Sequence, residues 1–223
     1  MNVLELFAGS RSIGKVAENY GCNVFSVDIN NFKNIDLVKD ICDVTKNDIP
    51  FDPYMIWASP PCTTFSIASI GHHWNENYTP KTKKAIQGLE ILNKTLQLIA
   101  QYKKCIYYIE NPVGMMRKII KGYNRATITY CSYGDIRMKP TDIWSNNIYD
   151  MFNTNGWKPK PQCFNGNAKC HHEAAPRGSR TGTQGLKGNF ERSKIPQLLC
   201  EEIIKATLNK FENEERQIKK RNY

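Results

Sequence analysis

Short apolar runs that stop at turn residues alternate, along the first half of the chain, with longer stretches whose apolar positions recur every three or four residues. Asn2-Val3-Leu4-Glu5-Leu6-Phe7 is the first run and ends at Ala8-Gly9; between Arg11 and Tyr20, Ile13, Val16 and Ala17 then recur at helical spacing. A strand, a glycine turn and a helix are expected. Cys22 to Val27 reads as a second strand closed by Asp28, and Tyr54 to Ala58 as another closed by prolines. Thr82 to Tyr102 carries Ala85, Leu89, Leu92, Leu96 and Ile99 on one helical face, ahead of a buried strand from Ile106 to Ile109. Strands alternating with helices predict an α/β fold with a mostly parallel sheet and helices on both faces.

Past Trp144 the pattern changes. Residues 153 to 192 hold many Gly and Pro and few aliphatics, with Lys158, Lys160, Lys169, Arg177, Arg180, Lys187 and Arg192 set against Glu173 and Glu191. Helical spacing returns from Ile195 to Ile204, and the mixed-charge tail from Glu212 continues it as an exposed helix. The expected organisation is a main domain over 1–150, a short irregular basic insert over 151–192 and a C-terminal helix over 193–223 that returns to the main domain.

Charge narrows the choice of partner. Lys and Arg number 31 against 21 acids, a formal charge of +10, which favours a polyanion and above all a nucleic acid. No apolar run is long enough to span a bilayer and no N-terminal signal pattern stands out, so a soluble, cytoplasmic protein that avoids membranes is expected. The eight cysteines are then expected as thiols, with Cys22, Cys42, Cys105, Cys131 and Cys200 buried beside apolar stretches. Cys62, Cys163 and Cys170 sit among turn residues instead.

Ligands of an open α/β sheet bind outside the carboxyl ends of its strands. Phe7-Ala8-Gly9, Asp28, Asp40 or Asp43, Pro61-Cys62 and Glu110-Asn111 fall there. A glycine turn after the first strand lets a cofactor approach the backbone, and an acid ending the second strand can accept hydrogen bonds from ribose hydroxyls, which together describe a nucleoside-cofactor pocket. In ASPPCTTFS, two prolines fix their own φ and bias the residues before them, so Cys62 is held in one orientation, as a nucleophile requires. Glu110 ends a buried strand, where a partly desolvated carboxyl suits general acid work. Nucleophile and acid together suit addition of a thiolate to an electron-poor ring.

These segments, followed by Tyr133-Gly134-Asp135-Ile136-Arg137-Met138-Lys139 and by Ile195-Pro196 with Leu198 and Ile203, resemble in order the motif series of the cytosine C5 DNA methyltransferases. The chain looks like a compact, phage-type member. The resemblance implies a Rossmann-like class I S-adenosylmethionine-dependent methyltransferase in which Cys62 attacks C6 of a flipped-out cytosine, Glu110 protonates N3, Asn111 orients the site and Arg137 contacts the base or its phosphate. It implies a cofactor pocket of Phe7, Ala8, Gly9, Ser10, Asp28, Ile29, Asp40, Ile41 and Pro60. Departures are Arg11 and Ser12 in place of two glycines, Thr63 in place of a glutamine, Pro112 in place of a valine, and Asp135-Ile136-Arg137-Met138-Lys139 in place of Gln-x-Arg-x-Arg. RNA cytosine, a modified sulfonium donor and a non-catalytic DNA-binding module are the alternatives.

The same resemblance makes the basic insert the target-recognition region, with Arg177, Arg180 and Lys187 as DNA contacts. A monomer is expected; a partner nuclease is invisible from one chain. Within Cys163-Phe164-Asn165-Gly166-Asn167-Ala168-Lys169-Cys170-His171-His172 the spacing of the soft ligands is poor for zinc, and no metal is expected.

Overall fold

A computed structural model describes residues 1–173, Leu186 and residues 188–221. In chain order the elements are β1 (Asn2–Leu6), α1 (Ser12–Asn19), β2 (Asn23–Asp28), β3 (Leu37–Val38), β4 (Met55–Ala58), α2 (Ile70–His73), α3 (Lys83–Ala100), β5 (Ile106–Pro112), α4 (Met116–Ile119), β6 (Arg125–Thr129), β7 (Pro140–Ser145), α5 (Asn189–Ser193) and α6 (Gln197–Arg221). The strands form one sheet in the order β3-β2-β1-β4-β5-β7-β6, in which β7 alone runs antiparallel to its neighbours. The α/β expectation, with a mostly parallel sheet, is borne out.

Side chains alternate across the strands as the pleat requires. Leu4, Leu6, Ile56 and Ala58 face a core shared with Leu92, Leu98 and Ile99 of α3, whereas Val3, Met55, Trp57 and Tyr108 face one shared with α1 and α6. Both faces of the central strands are therefore buried, which is why they read as apolar runs. The predicted helix over 82–102 is α3, begun by the Thr82 hydroxyl accepting from Ala85 N at 3.3 Å. The C-terminal helix begins at Gln197 and runs unbroken for 25 residues.

Three parts of the chain depart from expectation. The strands β3, β6 and β7 were not signalled by periodicity. Cys42, expected to be buried, is exposed in the turn that follows β3, because its backbone N–H is held by Asp40 Oδ1 at 2.9 Å in a surface loop. Trp157, inside the proposed basic insert, is buried against Tyr108 with ring centroids 6.3 Å apart and so belongs to the core beside α6.

After β1 the chain turns one way to β2 and later crosses β1 to reach β4 on its other side. Such a switch in winding opens a crevice at the carboxyl ends of β1 and β4. One wall depends on a buried acid in β1. Glu5 accepts from Ile13 N at 3.1 Å at the start of α1 and from the Ser26 hydroxyl at 3.4 Å. Burial pushes its carboxyl up to about 7, against the lowering effect of the Gly14 and Ile13 amides and of Arg11.

The folded protein therefore holds a proton on Glu5 that the unfolded chain, with an ordinary carboxyl near 4.3, releases. Stability from this group is full below about pH 4.3 and is lost as pH rises through 7, by an amount on the order of 3 kcal/mol. Denaturant unfolding from pH 4.5 to 8 should show this decline in wild type and a flatter profile in Glu5→Gln. Equal slopes for the two proteins would contradict the placement of that proton.

Candidate active site

The cysteine loop leaves β4 as Ser59-Pro60-Pro61-Cys62, with Pro60 buried and Pro61 exposed. Trp57 Nε1 donates to Ser59 Oγ at 2.8 Å, and the N–H groups of Phe65 and Ser66 both donate to Cys62 O at 3.0 Å, so Cys62 stands at the start of a tight turn. That turn is pinned from two sides. Trp74 Nε1 donates to Thr64 O at 2.7 Å, and Met115 N, from the segment after β5, donates to Phe65 O at 2.7 Å. Gly114 lies so close that a Cβ there would sit 2.0 Å from Phe65 O, and no side chain fits.

Parallel pairing of β4 with β5 aligns Ala58 with Ile109, so β4 ends at the level where β5 continues through Glu110 and Asn111 to Pro112, paired there with β7. Asn111 Nδ2 donates to Pro60 O at 2.8 Å and ties the two strand ends together; its Oδ1 is buried with no partner among the described residues. Glu110 is buried, and its Oε1 accepts from Tyr130 OH at 2.9 Å with Lys139 Nζ at 3.8 Å. Lys139 Nζ also reaches Tyr130 OH at 3.3 Å and lies 4.4 Å from the centre of that ring. Burial pushes the half-buried Cys62 thiol up; Lys139 works against this, Glu110 reinforces it, and Arg192 works against it. Thiol, carboxyl, phenol and ammonium thus share one electrostatic neighbourhood.

Arg137, expected to contact the base or its phosphate, is held by partners within the chain. Its guanidinium is buried, donating to both carboxylate oxygens of Asp135, to Arg192 O at 3.1 Å and to Lys194 O at 3.0 Å, with the Tyr130 ring beneath it. A side chain so engaged clamps the segment before α6 to the stretch that carries Lys139. Lys139 is the residue that faces Glu110, from a strained backbone with φ of 29°. The sequence reading assigned it no role, although it stands two positions beyond Arg137 at the last basic position of the quoted segment.

On the other side of the crevice, Gly9 N donates to Asp28 Oδ2 at 2.9 Å, and Asn30 N donates to Asp28 Oδ1 at 2.8 Å. Phe7, Gly9 and Arg11 all have positive φ, so the chain coils tightly from the end of β1 into α1. Ala8 is buried, and Ser10 Oγ lies 2.8 Å from Ser12 Oγ at the start of α1. Arg11, where the family has glycine, swings back to Ser26 Oγ at 2.9 Å and to the Glu18 carboxylate, away from the crevice. Asp40 and Ile41 follow β3 beside Asp28, whose carbonyl accepts from Lys39 N at 3.0 Å. Ile41 packs in the core while Ile29 is exposed. Arg177, Arg180 and Lys187 lie outside the described residues.

This rim fits a nucleoside cofactor. Asp28 Oδ2 accepts only from Gly9 N among the described residues, Ile29 offers an exposed apolar surface next to it, and a Cβ built on Gly9 would meet nothing nearer than 3.8 Å. The fold is a Rossmann-like α/β architecture with a mostly parallel sheet, and the order of the segments along its crevice resembles that of the cytosine C5 DNA methyltransferases. Over 221 residues it is 27% identical to the Probable DNA (cytosine-5)-methyltransferase of Frog virus 3 (isolate Goorha), a match that spans 92% of this chain and 99% of the relative. No family model matches. Among solved structures, Entamoeba histolytica methyltransferase EhMeth is similar with a TM-score of 0.48 and 16% identity over 65% of this chain and 52% of its own. The S. pombe Dnmt2 methyltransferase gives 0.42 and 17% over 65% and 48%. The chain thus spans about half the length of these solved structures.

The charge environment of Cys62 has a measurable consequence. Burial raises its pKa above the ordinary thiol range and Lys139 limits the rise, so alkylation of Cys62 by iodoacetamide, followed by peptide mass spectrometry, should have its midpoint above that of a free thiol. In Lys139→Gln the midpoint should move higher still. An unchanged or lower midpoint in that variant would remove Lys139 from the thiol's environment.

Proposed function

We propose that the protein transfers a methyl group from S-adenosylmethionine to C5 of cytosine in DNA, through a covalent bond between Cys62 and C6 of a base turned out of the helix. The observation that carries this reading is the convergence of Cys62, just beyond the end of β4, and Glu110, in the adjacent β5, tied by the bond from Asn111 to Pro60 O. The Frog virus 3 relative, matched along nearly its whole length, supports the DNA cytosine-5 assignment. The net charge of +10 supports a polyanionic substrate.

When bound, S-adenosylmethionine supplies an electrophilic methyl group on a sulfonium. Phe7, Gly9, Asp28 and Ile29 would hold its nucleoside, with Asp28 accepting from the ribose hydroxyls. Cys62, as thiolate, adds to C6 while Glu110, as the acid, gives a proton to N3, and the C5–C6 π electrons become available at C5. After C5 is methylated, loss of its proton to a base and return of the N3 proton to Glu110 break the C6–S bond and release Cys62 as thiolate. Lys139 favours the Cys62 thiolate and lies 3.8 Å from Glu110 Oε1, which also accepts from Tyr130 OH. Asn111 keeps the cysteine loop in register with β5. Base extrusion is needed because the ring faces are closed in a stacked duplex.

Transfer of labelled methyl groups to a duplex DNA library tests this. Cys62→Ser should lower the rate by at least about 10³-fold. Glu110→Gln should lower it by roughly 10²–10⁴-fold. Wild-type activity in Cys62→Ser, or methylation of RNA but not DNA by the wild type, would overturn the reading.

A further inference from the structure

From Lys158 to Glu173 no residue is buried and none lies in a helix or strand, so apolar packing cannot hold this stretch in place. It is nevertheless fixed, point by point, along the chain between β6 and Arg137. Tyr133 OH accepts from Lys160 N at 2.9 Å, Ser132 Oγ donates to Pro161 O at 2.9 Å, and Thr129 Oγ1 accepts from Cys163 N at 2.8 Å. Further on, His171 Nε2 lies 3.1 Å from Asp135 O, and Glu173 N donates to Ile136 O at 2.9 Å.

At the middle of these contacts four soft ligands converge. One ligand atom each from Cys131, Cys163, Cys170 and His172 lies within 4.8 Å of all the others, and Cys163 Sγ is 3.6 Å from His172 Nδ1. Ligand atoms on a tetrahedral zinc with bonds of about 2.0–2.3 Å are separated by roughly 3.3–3.8 Å, so small side-chain movements close the set. Asn167 Nδ2 donates to Cys163 Sγ at 3.3 Å, the kind of N–H to sulfur bond that supports a bound thiolate. The turn between the two insert cysteines is formed by Asn167 N to Phe164 O and Cys170 N to Asn167 O, with Gly166 at φ 78°. The expectation of no metal rested on spacing within one segment; Cys131, more than thirty residues upstream and expected only as a core thiol, supplies the ligand that spacing could not reveal.

We propose that Cys131, Cys163, Cys170 and His172 bind one structural zinc ion, which fastens the basic insert to the end of β6. Three thiolates and an imidazole suit zinc rather than a hard cation, and four protein ligands leave no open position for catalysis. Binding releases the thiol protons. Because His171 and Glu173 contact the backbone of Asp135 and Ile136, the ion also steadies the stretch that carries Arg137 and Lys139.

The test is the metal content of full-length protein isolated under reducing conditions from zinc-supplemented cells, with cobalt(II) substitution of the chelator-stripped protein. Wild type should carry one zinc per chain and give the intense visible bands of tetrahedral thiolate cobalt. Cys163→Ser should lose both, Cys42→Ser should keep both, and His172→Cys should keep the metal with a spectrum shifted toward four thiolates. Trace zinc with no tetrahedral cobalt spectrum in wild type would overturn the proposal. So would full zinc in Cys163→Ser, or a disulfide joining two of the three cysteines in freshly isolated protein. Since wild type and His172→Cys decide the outcome, a failure of Cys163→Ser to fold does not.

Discussion

The hydrogen bond from Asn111 Nδ2 to Pro60 O sets the distance on which the candidate chemistry depends. The parallel ladder between β4 and β5 stops at Ala58 and Ile109, and beyond it the cysteine loop would be free to diverge from β5, which continues to Pro112. The bond holds them, and it is buried, where breaking it would leave polar groups unsatisfied. The approach of Gly114 to Phe65 O supplies a second fastening at the far end of the cysteine loop. Between these points Cys62 has little conformational freedom, and the prolines before it remove more.

Around this frame the charges are arranged so that each offsets another. Burial makes Cys62 harder to ionise, and Lys139 sits near both that thiol and the Glu110 carboxylate. Tyr130, whose own ionisation is suppressed by burial and by Glu110, serves as a fixed donor to that carboxylate. Arg137, over the Tyr130 ring, joins Asp135 to the carbonyls of Arg192 and Lys194, which brings the segment before the C-terminal helix against the site. The return of that helix to the main domain thus has an electrostatic as well as an apolar basis.

The central strands were legible because burial on both faces makes their sequences uniformly apolar, and the long helices because burial of one face makes apolar positions recur every three or four residues. The strand ends bearing Gly9, Asp28, Cys62 and Glu110 were legible for the same reason, each being where an apolar run stops. The antiparallel pair was not. In β7, Asp142 is fully buried, accepting from Arg117 at 2.7 Å and from Thr127 Oγ1 at 2.7 Å, so polar residues occupy core positions and erase the alternation. Two-residue β3 is too short to carry any period. The inward turn of Arg137, the approach of Lys139 to Glu110 and the meeting of Cys131 with the insert cysteines are consequences of tertiary contact between segments far apart in sequence, which no local spacing encodes.

The central claim is that Cys62 forms a bond to the cytosine ring while Glu110 assists from the neighbouring strand. Mass spectrometry of the protein incubated with S-adenosylmethionine and a duplex library carrying 5-fluorocytosine tests it most directly, because fluorine at C5 replaces the proton whose loss would free the cysteine. The account predicts a stable adduct at Cys62 that carries one transferred methyl group and is absent from Cys62→Ala. An adduct-free protein that still methylates ordinary cytosine DNA, or an adduct that persists in Cys62→Ala, would contradict it.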